Sequence, residues 1–313
     1  MKALLARIIG NSLPPRHSPT QAFRNLKYIL ENEVGNSFFD KVYIVNRIFD
    51  EVERSKIIGL LSETGSNYLE IPFNIEDYRS ISIIDDIEWV ERQVALNGYS
   101  KTMQDYPEKI RLIEEVAKNR SKIVYAMNNN GARNFVLNQY IRKYTWTMPL
   151  DGNCFFTREA LALLENELME FKHTENCVVL PMYRLGESLD PLVASPQDLK
   201  PCEPQVIFGC NAACTFDERR PYGRRPKVDL LKRLSVPGPW DHWEDMPWEI
   251  PTNTDENLKG RFYRSNSWVF RLRSGDDSQE VGSNSSLSRV DARNNAILHA
   301  IKRLDENVST VCL

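Results

Sequence analysis

Thr145-Trp146-Thr147-Met148-Pro149-Leu150-Asp151-Gly152-Asn153 is the stretch on which the fold turns. An apolar, β-favouring run leads straight into an Asp-Gly-Asn turn. A buried strand ending this way puts a carboxylate at its C-terminal end, where open α/β sheets bind ligands. The competing reading is a plain Asx turn that closes the strand. The flanking sequence chooses between the two.

Upstream, Ala3 to Gly10 is an apolar run followed by Asn11, Pro14 and Pro15, which predicts a buried strand ending in a loop. Ser18-Pro19-Thr20-Gln21 offers Ser at the N-cap and Gln at N3, predicting a helix with Phe23, Leu26, Ile29 and Leu30 on one face. Val42 to Val45 reads as a second strand. Asp50 with Glu53 starts a second helix that reaches Thr64, where Gly65 stops it, and Tyr68 to Phe73 is a third strand. Strand-helix-strand-helix-strand implies a parallel sheet with right-handed crossovers. Residues 74–122 form an insertion with helices expected near Asp85–Ala95 and Glu108–Lys118. Asn128-Asn129-Asn130-Gly131 is expected to cap a helix over Ala132–Lys143.

Downstream, Thr157 caps a helix bearing Leu161, Leu164, Leu168 and Phe171. Cys177–Met182, Gln205–Phe216 and Trp268–Leu272 read as strands, and Lys227–Leu234 as a short helix. Arg273–Ser288 has the composition of a mobile loop, and Ser288 with Asp291 starts a terminal helix. The expected organisation is a core over residues 1–234 and a C-terminal extension, 235–313, packed on it.

Composition narrows the class. The 313 residues carry a net charge of −3, which gives no overall attraction to nucleic acid. Arg7 interrupts the short apolar N-terminus, so it does not read as a secretory signal, and no run approaches the ~20 apolar residues of a membrane span. A cytoplasmic protein with no integral membrane segment is expected. Cys202, Cys210 and Cys214 lack C-x-x-C spacing and read as small core residues, reduced like the other cysteines.

Three segments then line up in order. Gly131-Ala132-Arg133-Asn134 precedes the Asp151-Gly152-Asn153 strand end. Phe216-Asp217-Glu218-Arg219-Arg220-Pro221-Tyr222-Gly223 and Val228-Asp229-Leu230-Leu231-Lys232-Arg233-Leu234 follow it. Over roughly residues 3–234 this order resembles the inverting family-2 type of GT-A glycosyltransferases. The resemblance implies a GT-A-like α/β fold, a mostly parallel Rossmann-type sheet flanked by helices. It also implies sugar transfer from a nucleotide-diphosphate donor to a glycan or small-molecule acceptor, assisted by Mn²⁺ or Mg²⁺. The leaving diphosphate develops negative charge, which a divalent cation held by carboxylates neutralises.

On this resemblance Asp151 and Asn153 stand at the D-x-D position, with His242 as a late metal ligand. Asn11 and Asn46 end the strands where the family contacts its nucleobase. Arg16, Gly131, Arg133, Asn134, Gly152 and Arg271 fall on the donor side. Asn153 departs from the second carboxylate of the motif, and Asn46 from the Asp common there. The base that deprotonates the acceptor hydroxyl is usually the Asp of a Glu-Asp pair before the Asp-Leu segment. This chain has Arg224-Arg225-Pro226-Lys227 at that place, which leaves Asp217, Glu218 and Asp229 as candidates. A salt-bridged turn among neighbouring arginines is their alternative reading.

A second function class is a catalytically inactive GT-A-like module that binds nucleotide, glycan or a protein partner. A sugar-phosphate nucleotidyltransferase would want a Gly-rich basic loop after the first strand. A dinucleotide oxidoreductase would want G-x-G-x-x-G there, and Gly10-Asn11-Ser12-Leu13-Pro14-Pro15-Arg16 supplies neither.

Overall fold

The computed structural model describes residues 1–83, 106–185, 189–199, 201–222, 226–242, 252, 256–272 and 285–310. The chain opens with β1 (Ala3–Ile9), α1 (Gln21–Asn32), β2 (Phe39–Asn46), α2 (Glu51–Glu63) and β3 (Tyr68–Ile71). Four helices follow: α3 (Ile75–Arg79), α4 (Tyr106–Lys118), α5 (Arg120–Met127) and α6 (Asn129–Tyr140). Next come β4 (Trp146–Asp151), β5 (Cys154–Phe155), α7 (Arg158–Glu170), β6 (Cys177–Arg184) and β7 (Pro201–Gly209). The last elements are α8 (Val228–Arg233), β8 (Phe262–Arg264), β9 (Val269–Arg271) and α9 (Ser285–Thr310).

Strands β3, β2, β1 and β4 pair in parallel, and β7, β6, β9 and β5 continue the sheet in that order, with β8 beside β6. The result is a curled, mostly parallel α/β sheet flanked by helices, consistent with a Rossmann-like GT-A fold. Every residue of β1 is buried, because successive side chains meet a layer on each face. Leu4, Ala6 and Ile8 pack on Ala132 and Val136 of α6. Ala3 and Leu5 share a cluster with α7, and Ile9 shares one with Leu26 of α1 and Ile57 and Leu61 of α2.

Several boundaries differ from the sequence expectation. Helix α1 starts at Gln21, and the preceding Thr20 is left-handed (φ 59) with no side-chain cap bond. The Ser12 hydroxyl instead accepts from the Ala22 amide at 3.0 Å, so a distant loop supplies the missing acceptor. Asp50 caps α2 as expected, accepting from Glu53 N at 3.0 Å. The Glu53 carboxylate turns away to Ser12 Oγ, 2.6 Å, rather than closing a capping box. Helix α6 begins at Asn129 instead of Ala132, directly after α5, with only left-handed Asn128 (φ 45) between them.

Strand β7 ends at Gly209 because its antiparallel partner β6 begins at Cys177, opposite Phe208. Strands β5 and β8 were not foreseen, being two and three residues long. Residues 262–271 thus supply two strands to the same sheet as β1. Helix α9 begins at Ser285 rather than Ser288 and packs on α4 and α5. The helix expected over Asp85–Ala95 and the loop expected from Arg273 up to residue 284 lie outside the described residues. Cys154, Cys177 and Cys214 are buried free thiols, and Cys202 and Cys210 are half-buried ones. Among the described residues, no helix is long and apolar enough to cross a membrane.

Candidate functional site

Asp151 closes β4 at the carboxyl edge of the parallel strands. Both oxygens of its carboxylate are engaged by the protein. Oδ1 accepts from Arg133 Nη2 at 2.6 Å, and Oδ2 accepts from Lys227 Nζ at 3.0 Å and Gln205 Nε2 at 3.1 Å. Burial pushes the Asp151 pKa up. Lys227, then Arg133 and Arg271, outweigh it and hold the carboxyl well below the usual carboxylate range. The next residue must be small for a packing reason: a Cβ on Gly152 would lie 2.5 Å from the Ile8 carbonyl oxygen. The close approach that glycine permits is therefore to β1.

Asn153 locks the exit of β9. Its Nδ2 donates to Leu272 O at 3.0 Å, and Leu272 N donates to Asn153 O at 2.8 Å. His242 is exposed in the turn Pro239–His242, with no hydrogen bond or ion pair to Asp151 among the described residues. Its neighbour Trp240 is buried, with Nε1 donating to Val236 O at 2.7 Å, so this indole packs the core rather than waiting for a sugar ring. Residues 243–251, which include Trp243 and Trp248, lie outside the described residues. Among the described residues, no three His, Cys, Asp or Glu side chains are grouped to hold a metal. As arranged, Asp151, Asn153 and His242 do not fit a divalent cation: the one carboxylate is already shared by two cations, the Asn153 amide is spent on Leu272, and exposed His242 joins no ligand group among the described residues.

Arg133 lies past the first turn of α6 and is buried against Asp151, so it does not sit at an open helix terminus. One helical turn links Asn130 and Asn134 on the same side of α6. Asn130 Nδ2 donates to Asp217 O at 2.7 Å and Pro226 O at 3.0 Å. Asn134 Nδ2 donates to Phe216 O at 2.9 Å and Glu218 Oε1 at 2.8 Å, and its Oδ1 accepts from Phe216 N. These two amides brace residues 216–218 and the turn that delivers Lys227. A Cβ on Gly131 would meet only the end of the Asn128 side chain.

The three candidate bases separate cleanly. Asp229 is buried and divided between Arg220 at 2.8 Å and Arg233 at 2.9 Å. Asp217 is gripped by Arg219 through both oxygens, and that bond leads the causes holding its pKa below the ordinary value. Glu218 is exposed and has one oxygen bonded to Asn134, which leaves its carboxylate facing solvent. Asn11 and Asn46 are joints between loops. Asn11 bonds Arg47 O and Phe49 N, and Asn46 is buried against Met127 O and Asn128.

A cationic cluster gathers from three parts of the chain. Arg16, 5% exposed, comes from the loop after β1. Arg271 ends β9 opposite Cys154. Arg293 of α9 places its guanidinium 5.6 Å from the centre of the Tyr222 ring. Burial alone would raise the Tyr222 phenol, but Arg293, Arg16 and Arg271, with a hydrogen bond from Arg16, bring it below its ordinary pKa. His17 reports the same field. Burial first, then Arg16, Arg271 and Arg293, push its pKa down to about 3. Its Nδ1 accepts the Leu13 amide at 3.1 Å, which suits the neutral ring.

Sequence reasoning named Arg16 and Arg271 for the donor side but passed over Lys227, Gln205 and Tyr222. Lys227 carried a signal, since it ends the basic stretch noted as standing in place of an acidic pair. Gln205 and Tyr222 carried none, because only the sheet and the α6 brace bring them in.

No protein-family model matches the chain, and no curated protein does. Among solved structures, one described as the crystal structure of S. aureus TarS gives a TM-score of 0.34 at 12% identity. That alignment covers 95% of this chain and 42% of TarS, so the chain spans less than half the length of that neighbour.

Proposed function

We propose that this protein transfers a sugar from a nucleoside-diphosphate donor to a carbohydrate or small-molecule acceptor. One observation carries the reading. Arg16, Arg271 and Arg293 converge from separate elements beside the Asp151 strand end, at the carboxyl edge of a GT-A-like sheet. That edge is where open α/β sheets take ligands, and guanidinium groups match phosphate oxygens in charge and geometry. In the reaction the acceptor hydroxyl oxygen bonds to the anomeric carbon. The bond from that carbon to the diphosphate oxygen breaks, its electron pair leaves with the diphosphate, and the hydroxyl proton passes to a base. Glu218 is proposed as that base, because it is the exposed carboxylate of the three candidates.

A non-catalytic nucleotide- or glycan-binding module is the second reading. The ion-paired state of Asp217 and Asp229 favours it. Thermal stabilisation by UDP, GDP, CMP and their sugar conjugates tests both. A nucleotide at ~100 times its dissociation constant adds about 2.7 kcal/mol. Stabilisation by one nucleoside diphosphate together with slow release of its sugar supports transfer. Stabilisation with no turnover toward any acceptor or water selects the binding module, and no shift with any nucleotide defeats the transfer reading and a nucleotide-binding module alike, leaving only a glycan-binding one.

A further inference from the structure

Resting on the donor reading above, we infer that the leaving diphosphate is neutralised by the chain's own Arg16, Arg271, Arg293 and Lys227, without a divalent cation on Asp151. The first ground is the state of Asp151. A hard cation needs carboxylate lone pairs, and here Arg133, Lys227 and Gln205 fill three of the roughly four that Asp151 offers, both on Oδ2 and one on Oδ1, within 3.1 Å. A metal ion bound there would lie against Lys227 and Arg133, and like charges at such distances repel strongly away from bulk water.

The second ground is the surplus of positive charge. Three guanidiniums and one ammonium share a largely buried region, and among the described residues the acids that act on them are Asp151 and Glu203. Burying like charges together is unfavourable unless an anion joins them. The Arg271 Nε–H is buried and makes no hydrogen bond among the described residues, so it is a donor in wait of an acceptor. The Tyr222 phenol oxygen already accepts from Arg16, at the place where an anionic oxygen of a ligand would accept instead. Asp151 on this account is a positioning residue. It aims Lys227 and Arg133 at the ligand and adds no ligand bond of its own.

The test is calorimetric titration of the full chain with UDP, GDP and inorganic pyrophosphate, in EDTA and again with Mn²⁺. The inference expects one nucleoside diphosphate and pyrophosphate to bind in EDTA with affinity little changed by Mn²⁺. Arg271→Gln and Arg16→Gln should each weaken binding by ~10- to 100-fold, the scale of a lost charge-assisted hydrogen bond. Asp151→Asn, once shown to be folded by its melting curve, should still bind in EDTA, because no bound cation depends on its charge and the Asn oxygen still accepts from Arg133 or Lys227. Binding that requires Mn²⁺ and vanishes in EDTA and in Asp151→Asn overturns the inference while upholding the donor reading. Pyrophosphate binding in EDTA without binding of any nucleoside diphosphate keeps the cationic site but defeats the donor reading. Unchanged affinity in both arginine variants overturns the cationic site itself.

Discussion

Lys227 and Asp151 are 76 residues apart in sequence, and their charged atoms are 3.0 Å apart in space. The pair ties the end of β4 to the start of α8, and Asn130 of α6 fixes the turn between them through Pro226 O. Lys227→Met leaves Asp151 with one cation. It should lower unfolding stability by ~1.5–3 kcal/mol, the worth of a hydrogen bond to a charged group. A double-mutant cycle with Asp151→Asn measures the coupling in urea denaturation, and zero coupling would contradict the contact.

Glu218→Gln separates chemistry from architecture. The side chain is exposed, and glutamine keeps an oxygen for the Asn134 amide. If Glu218 takes the acceptor proton, kcat should fall by ~10²-fold or more with little change in donor affinity or melting temperature. An equal fall in kcat for Asp229→Asn without loss of stability would move the role to Asp229.

His17 predicts an acid limb of stability. Its pKa in the fold is about 3, against about 6.5 in an unfolded chain. Between those values the unfolded chain binds a proton that the fold refuses. The contribution is therefore complete above the unfolded value and declines as pH falls through this window. Urea midpoints should drop between neutral and mildly acidic pH, and His17→Gln should flatten that part of the slope. A diphosphate bound beside Arg16, Arg271 and Arg293 would cancel their charge, so binding at mildly acidic pH should take up protons.

Gly152→Ala tests the contact between strand ends. The new Cβ would sit 2.5 Å from a backbone oxygen that cannot rotate away. Overpacking of this kind costs about 1–3 kcal/mol. A melting temperature equal to that of the parent would mean that β1 and β4 are less tightly apposed at this end.

Far from the cationic cluster, Arg7 and Glu33 form a buried pair at 2.8 Å, each side chain 1% exposed. Glu33 is also ion-paired with Lys41 at 2.9 Å and accepts from the Phe156 amide, and Arg7 donates to Cys154 O, so the pair joins β1 to the start of α7 and to β5. Burial raises the Glu33 carboxyl, but Arg7 and Lys41 bring it below its ordinary value. Glu33→Ala leaves Arg7 buried without its partner and should destabilise by ~3–5 kcal/mol in denaturant titration, with Arg7→Met/Glu33→Leu much milder.

The legible parts of this chain were those written in local periodicity. The β1 to β3 run was readable because each strand is an apolar block bounded by loop residues, and Asp50 and Thr157 cap their helices as expected. Local signals misled where another segment finished the job. Ser18 reads as a cap, yet Ser12 supplies the acceptor for α1. The Asp-Gly-Asn stretch was rightly placed at a strand end, but its chemistry was not legible. Lys227 and Gln205 approach Asp151 only because β7 returns antiparallel beside β4 and α6 grips Asp217 and Pro226. No spacing rule encodes such a meeting.

Strand β5 follows the Asp-Gly-Asn turn at once, and its partner is β9, with Cys154 opposite Arg271. Pairing across so long a stretch of chain gives this part of the sheet a high contact order, and closing such a loop is entropically slow. During synthesis β1 to β4 can associate early, while β5 waits with an open edge until Arg271 has emerged. The β5–β9 pair beside Arg271 is thus the last part of the sheet that can close, and until it does β5 presents an unpaired edge.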